Sequence, residues 1–228
     1  MVAPSRPTNP RVAFLMGSLK FKVALITGAS SGIGKGAALH FAKLGCRLLL
    51  SGRKVENLNL VAEECCNFGD NKVEVSIGDV SDYSYCEKLM KQAVDSFGKL
   101  DVLVNSAGIL LTGGIEQLTL EDYNYQMNVN VTSIFSLTKL ALPHLIETKG
   151  NIVNVSSVTG LRAFPGVVGY NISKAAVDHL TRSVALEAAP HGVRINAVNP
   201  GVIVTNLHKR GGMDEETYVK VTFTVHLS

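Results

Sequence analysis

No stretch of this 228-residue chain approaches the roughly 20 consecutive apolar residues that cross a bilayer, so no membrane partner is expected. Cysteine is scarce. Cys46, Cys65, Cys66 and Cys86 lack the spacing of a metal site or a redox pair, which leaves no candidate metal ligands, and reduced thiols in an intracellular compartment are expected. Charge of one sign is scarce too: 22 Lys and Arg against 19 Asp and Glu leave a net +3 with no basic block, which argues against a nucleic-acid partner. Neither an internal repeat nor a low-complexity block is present. Residues 1–20 hold no acid and carry Arg6 and Arg11, a weak likeness to a mitochondrial transit peptide. Pro4, Pro7 and Pro10 oppose the amphipathic helix such a peptide uses. A flexible N-terminal extension is expected there, with Met16 available as an internal start, and a cytoplasmic location is expected ahead of a mitochondrial one.

What remains, residues 21–228, has the length of one domain, and with 46% hydrophobic and 18% charged residues the chain suits a sheet covered on both faces. Short apolar runs predict strands at 23–27, 47–51, 73–77, 100–104, 150–155 and 194–198. Helical patterns lie near 34–44, 54–68, 83–97, 120–143 and 170–188. Pro143 is expected to end or bend the fourth helix, and Pro190 follows the fifth. Alternating strands and helices imply an α/β fold: a doubly wound parallel sheet with right-handed crossovers and ligands at the carboxyl ends of the strands.

The first strand runs into Thr27-Gly28-Ala29-Ser30-Ser31-Gly32-Ile33-Gly34 and then a helix. Such a turn makes an anion site, because backbone N–H groups and the helix dipole point at a phosphate while glycine permits close approach. The spacing G-x-x-x-G-x-G is not the G-x-G-x-x-G fingerprint. It is not the ATPase loop either, since Gly36 follows Lys35 where that pattern needs Ser or Thr. An ordinary glycine-rich strand-to-helix turn stays open as the alternative.

Tyr170-Asn171-Ile172-Ser173-Lys174 lies thirteen positions beyond Ser157. Tyr170 and Lys174 share a helix face one turn apart. A cation about 4 Å from a phenol, at an effective dielectric near 20, favours phenolate by up to roughly 4 kcal/mol, which brings a tyrosine toward working pH. The same spacing also describes a partly buried ring beside a solvated amine. Taken together, a phosphate turn and a proton-transfer pair suggest hydride transfer to or from a nicotinamide.

These two motifs, with G-D-V at 78–80, N-S-A-G at 105–108, N-V-N-V-T at 128–132, N-V-S-S at 154–157 and N-P-G at 199–201, make the chain resemble a short-chain dehydrogenase/reductase. The likeness runs from about Phe21 to Thr205 and is to the single-domain type similar to 3-oxoacyl carrier-protein reductases. It implies a Rossmann-type fold. It also implies Tyr170 as acid or base at the substrate oxygen, Lys174 lowering its pKa and holding the nicotinamide ribose, and Ser157 bonding the carbonyl or alcohol. Asn130 would hold a water beside the lysine, or its amide would satisfy backbone in an interrupted helix. Asn128 lacks the following Val-Thr-Ser context, and spacing to the tyrosine favours Ser157 over Ser156.

The cofactor set that follows from the resemblance is Gly28, Ser30, Ser31, Gly32, Ile33 and Gly34 at the phosphates, with Asp79 and Val80 at the adenine. Asn105, Ala107 and Gly108 fall in the loop supporting cofactor and sheet, and Pro200, Gly201, Val202 and Thr205 fall beside the nicotinamide, with Tyr170 and Lys174 completing the set. Ser106 stands where relatives often carry Asn. At the end of the second strand Gly52 occupies the place of the acid that binds ribose hydroxyls in NAD enzymes, and Arg53 follows it. No carboxylate would repel a 2′-phosphate and a guanidinium could grip one, so NADP(H) is favoured over NAD(H); Arg53 as a solvated loop charge is the alternative.

The resemblance weakens after the Gly211-Gly212 hinge and the lid-like Met213-Asp214-Glu215-Glu216. The family usually continues through another helix and a seventh strand, whereas 221–228 alternates apolar and polar residues, so the usual last strand is expected to be absent and a short strand of the tail's own is the alternative. Two functions follow. One is an NADP(H)-dependent oxidoreductase on a small-molecule ketone or secondary alcohol, a homodimer or homotetramer through the helices at 120–143 and 170–188. The other is a truncated, non-catalytic nucleotide- or partner-binding isoform. Apolar residues near 109–115, 158–168 and 203–220 point to a moderately apolar ketone.

Overall fold

The computed structural model describes residues 19–203, 207 and 211. Thr205, the lid-like stretch, the tail at 221–228 and the N-terminal extension up to residue 18 lie outside the described residues.

Six strands form one parallel sheet: β1 Val23–Thr27, β2 Arg47–Gly52, β3 Val73–Ile77, β4 Val102–Asn105, β5 Asn151–Val155 and β6 Arg194–Val198. Their order is β3-β2-β1-β4-β5-β6. The chain therefore reverses its direction of travel between β1 and β4, where a crevice opens at the strand carboxyl ends. Helices α1 Gly32–Lys43, α2 Val55–Cys66, α3 Tyr83–Phe97, α4 Leu120–Met127, α5 Ser133–Thr148 and α6 Val168–Ala188 cover both faces.

Strand alternation builds two cores. Val23 and Leu25 join Leu49, Leu103, Ile152 and Ile195 beneath α3, α5 and α6. Ala24 and Ile26 join Leu48, Leu50, Val102 and Val104 beneath α1 and α2. Each fully buried leucine or isoleucine there contributes about 1.5–3 kcal/mol. The amino ends of β1 and β4 are tied by Asp101, which accepts from Val23 N–H at 2.9 Å and pairs with Lys22 at 2.7 Å and Lys99 at 2.9 Å. Burial alone would raise this carboxyl, but those partners outweigh it and hold it below its ordinary range.

One helix differs from its sequence pattern at both its middle and its end. A π-helical turn, Asn128–Thr132, separates α4 from α5, and α5 continues past Pro143 to Thr148. The proline withholds one N–H, while Ala141 and Leu145 on either side are fully buried in the core, so packing keeps the helical path. The run Leu120–Thr148 thus has 29 residues, and its most apolar 18-residue window has a mean hydropathy of 1.2, enough to cross a membrane by length and composition. Half of that apolar window is buried inside the fold, as in the core helix of a sheet protein.

Candidate active site

The glycine turn is fixed by backbone crowding. Gly28 has φ +63°, and a Cβ there would lie 2.8 Å from the Ala107 backbone and from the Ser106 carbonyl. Thr27 Oγ1 accepts the Ser106 and Ala107 N–H groups at 3.1 Å each, stitching the turn to the loop after β4. A Cβ on Gly34 would meet the Gly28 carbonyl at 2.4 Å, so α1 can sit this close to the turn only with glycine. Ser31 caps α1 without a side-chain hydrogen bond, and no acid occupies the first helical turn. The first N–H groups of α1 are therefore left without a capping side chain, which suits a phosphate.

One cleft of about 500 Å³ crosses the carboxyl ends of all six strands. Of the residues expected from sequence, Gly28, Ser30, Ser31, Gly32 and Ile33 line it at the turn, and Arg53, Asp79 and Val80 line it at the ends of β2 and β3. Ala107 and Gly108 follow β4, Ser157 follows β5, Tyr170 and Lys174 come from α6, and Pro200, Gly201 and Val202 follow β6. Arg53 Nη1 donates to Asp79 Oδ2 at 3.2 Å and to Tyr125 Oη at 3.0 Å, so an exposed guanidinium is oriented by a carboxylate and by a tyrosine from α4. Burial alone would raise the Asp79 carboxyl; the Ser81 N–H and hydroxyl, with Arg53, outweigh it and hold it low.

Tyr170, Ser157 and Lys174 meet on the opposite wall, all at least nine-tenths buried. Burial pushes the Tyr170 hydroxyl up to about 12, against the pull of a hydrogen bond with Ser157. Burial also brings the Lys174 amine down to about 8, opposed by Asp178. The expectation that Lys174 draws Tyr170 toward neutrality is thus not met by the protein's own groups. Lys174 Nζ lies 5.5 Å from the phenol ring centre and donates to the Val155 carbonyl at 2.8 Å, and desolvation outweighs its charge. Ser156 also borders the cleft, but its hydroxyl donates to the Lys174 carbonyl at 3.1 Å, which leaves the Ser157 hydroxyl as the one beside Tyr170.

Three expected residues do not line the cleft. Gly34 lies behind the turn. Asn105 donates to Asn154 Oδ1 at 2.9 Å within the sheet, and Asn154 donates in turn to Thr181 Oγ1 at 2.9 Å. Asn130, wholly buried in the π turn, accepts from Ile109 N–H at 2.8 Å and donates to Ile109 O at 2.9 Å and Ser173 Oγ at 3.0 Å. Its amide therefore satisfies backbone in an interrupted helix, the second of the two roles open from sequence. Asn128 instead bonds the Ser81 carbonyl at 3.3 Å. A Cβ on Gly108 would come within 3.3 Å of Asn130 Oδ1 and 3.7 Å of Lys174 Nζ, so glycine keeps that gap open.

Sequence reasoning missed Tyr125, whose contact spans 72 positions with no local signal. It missed the brace behind Ser157 as well: Asn199 Nδ2 donates to the Ser157 carbonyl at 2.9 Å and to both oxygens of the buried Asp178. The N-P-G motif was the available sign of that brace. Tyr85 went unseen too; its ring lies under Gly78 and its hydroxyl meets Ser51 at 2.9 Å beneath the cleft.

A phosphate cradle and a buried tyrosine–lysine–serine group sharing one cleft of a doubly wound sheet define a nucleotide-dependent oxidoreductase. The chain belongs to the short-chain dehydrogenase family, whose sequence profile matches residues 22–216. Over 193 residues it is 37% identical to the 3-oxoacyl-[acyl-carrier-protein] reductase of Thermotoga maritima, covering 84% of this chain and 78% of that one. A short-chain dehydrogenase/reductase from Mycobacterium marinum superposes with a TM-score of 0.82 at 34% identity, covering 87% and 79% of the two chains. An NAD+-bound xylitol dehydrogenase superposes at 0.78 and 30% identity, covering 80% and 71%.

Proposed function

We propose that this chain is an NADP(H)-dependent oxidoreductase interconverting a ketone and a secondary alcohol. The observation that carries the reading is the opening of two sites on one cleft: the uncapped α1 N-terminus, and Tyr170 hydrogen-bonded with Ser157 beside the Lys174 amine. A nicotinamide dinucleotide bound there would supply or accept the hydride at the substrate carbon. Backbone N–H groups from Ser30 to Ile33 receive the phosphates, and Gly28 and Gly34 keep the turn close to α1. Arg53, with Lys54 beside it on the cleft and no carboxylate at Gly52, receives a 2′-phosphate. Asp79 and Val80 border the adenine, while Ala107, Gly108, Pro200, Gly201, Val202 and, by family likeness, Thr205 flank the nicotinamide half.

Ser157 orients the substrate oxygen and Tyr170 gives or takes its proton. A phenol at about 12 is neutral at physiological pH, ready to donate in ketone reduction. Lys174 holds the ribose. Asn130 acts as a positioning residue, so a water returning the proton is held by groups other than its amide. Phe135 and Ile172, large apolar residues exposed on α5 and α6, support a homodimer or homotetramer through those helices.

Thermal unfolding with saturating NADPH or NADH, run beside a ketone turnover screen, tests the reading. At 100 times its dissociation constant NADPH should add about 2.7 kcal/mol, or about 5–10 °C for a domain of this size, and NADH should add less. A larger shift with NADH would overturn the NADP choice. Stabilisation by NADPH without turnover on any ketone would favour the non-catalytic alternative.

A further inference from the structure

The cleft is polar at one end and apolar at the other. Among the described residues its charged side chains are Arg53, Lys54 and Asp79 at the ends of β2 and β3, and Lys174, whose amine is already bonded to the Val155 carbonyl. The compartment beside Ser157 and Tyr170 is walled by Leu110, Phe164, Pro165, Val167, Ile203 and Leu207. Backbone and side-chain hydrogen bonds lock the segments of this wall together. Gly113 N–H donates to the Gly166 carbonyl at 2.7 Å, Gly113 and Val167 form a parallel bridge, and Thr112 Oγ1 donates to the Gly211 carbonyl at 3.0 Å. At its mouth Phe164 is 46% exposed and Ile203 45%, so the apolar surface runs outward from the reacting serine and tyrosine.

Building on the oxidoreductase reading, we propose that the substrate is an uncharged ketone or secondary alcohol with an apolar body, an alkyl chain or ring, rather than a polyol or a keto acid. A carboxylate laid on this wall meets no cation among the described residues. Among the described residues the extra hydroxyls of a polyol would find on this side of the cleft only the hydroxyls of Thr159 and Ser156, the latter already bonded to the Lys174 carbonyl, so most would give up water and gain no partner. An alkyl group gains from every methylene it buries. Ser157 and Tyr170 are enough to bind the one oxygen that reacts.

The test uses the full chain saturated with NADP+ and reads dissociation constants by thermal shift for 2-butanol, 2-pentanol, 2-hexanol and 2-heptanol. Xylitol and 3-hydroxybutyrate serve as the polar comparators, and nicotinamide reduction is followed in parallel. Affinity should rise about fourfold per methylene, the value of burying one CH₂, and both comparators should bind at least tenfold more weakly than 2-heptanol. Phe164→Ala, a change at the mouth of the cleft, should flatten the alkyl series. A flat wild-type series, xylitol or 3-hydroxybutyrate matching 2-heptanol, or no alcohol binding at all would each overturn the inference. Graded alkanol binding without nicotinamide reduction would leave the apolar site standing and remove the oxidoreductase reading. Reduction driven best by xylitol would do the reverse.

Discussion

Replacing Lys174 by methionine should separate what this residue costs the fold from what it gives the site. Burial takes its amine from an ordinary 10.5 to about 8, with Asp178 opposing. That fall corresponds to roughly 3 kcal/mol against the charged form wherever the folded and unfolded chains are both protonated. Between about 8 and 10.5 the unfolded chain binds the proton and the folded chain does not, so wild-type stability rises with pH across that window. Methionine removes the buried charge but leaves the Val155 carbonyl unpaired, a cost of about 1–3 kcal/mol. Lys174→Met should therefore range from neutral to about 2 kcal/mol more stable than wild type at neutral pH. Above the window it should be the less stable protein, and it should have no turnover at either pH. Urea unfolding of both proteins across this range is the assay. A stability difference that does not change with pH would refute the reasoning, because it would mean that the amine is not desolvated in the cofactor-free protein.

Gly34→Ala places a methyl 2.4 Å from the Gly28 carbonyl, so the turn or α1 must move; a loss of about 1–3 kcal/mol in the apo protein should accompany loss of most NADPH-induced stabilisation, read by thermal shift. Tyr125→Phe removes one of the two partners of Arg53 Nη1. It should weaken NADPH about three- to tenfold, the value of one hydrogen bond, and leave NADH unchanged by calorimetry. Asp101→Asn should cost about 1–3 kcal/mol, the partner lysines being more than a third exposed. Because the Asp101 carboxyl is held low, its contribution stands above its unfolded pKa near 3.9 and disappears as pH falls through the lower folded value. Acid unfolding of the variant should accordingly be shallower. With Tyr170 raised to about 12, alcohol oxidation should climb with pH over a range where ketone reduction stays level, measured as kcat/KM in both directions.

Apolar residues and glycine punctuation were enough to place the strands: β1, buried on both faces, is a continuous hydrophobic segment, while the edge strands β3 and β6 alternate apolar with polar residues. β1, β3, β6 and α3 occupy the expected residues. β4 begins at Val102 instead of 100, where Asp101 commits its carboxylate to the Val23 N–H and two lysines. Pro143 does not end the helix, because the local rule, the missing N–H, is outweighed by burial on both sides of it. The cleft was legible wherever a motif sits at a strand end. What sequence could not reveal was which side chains face inward: Asn130 and Asn105 carry motif positions but spend their amides inside the fold. The fate of the Tyr170–Lys174 pair was hidden for a related reason. Helical spacing brings the two residues to one face, while the balance between charge and desolvation depends on walls supplied by β5 and the segment after Ser157.

The most direct measurement is transfer of deuterium from NADPH labelled at the reactive nicotinamide carbon to 2-heptanone, read by mass spectrometry for wild type and Tyr170→Phe. Label on the alcohol carbon with wild type is predicted, with none from the variant while its NADPH-induced thermal shift is kept. Equal transfer by both proteins would contradict the assignment of proton transfer to Tyr170.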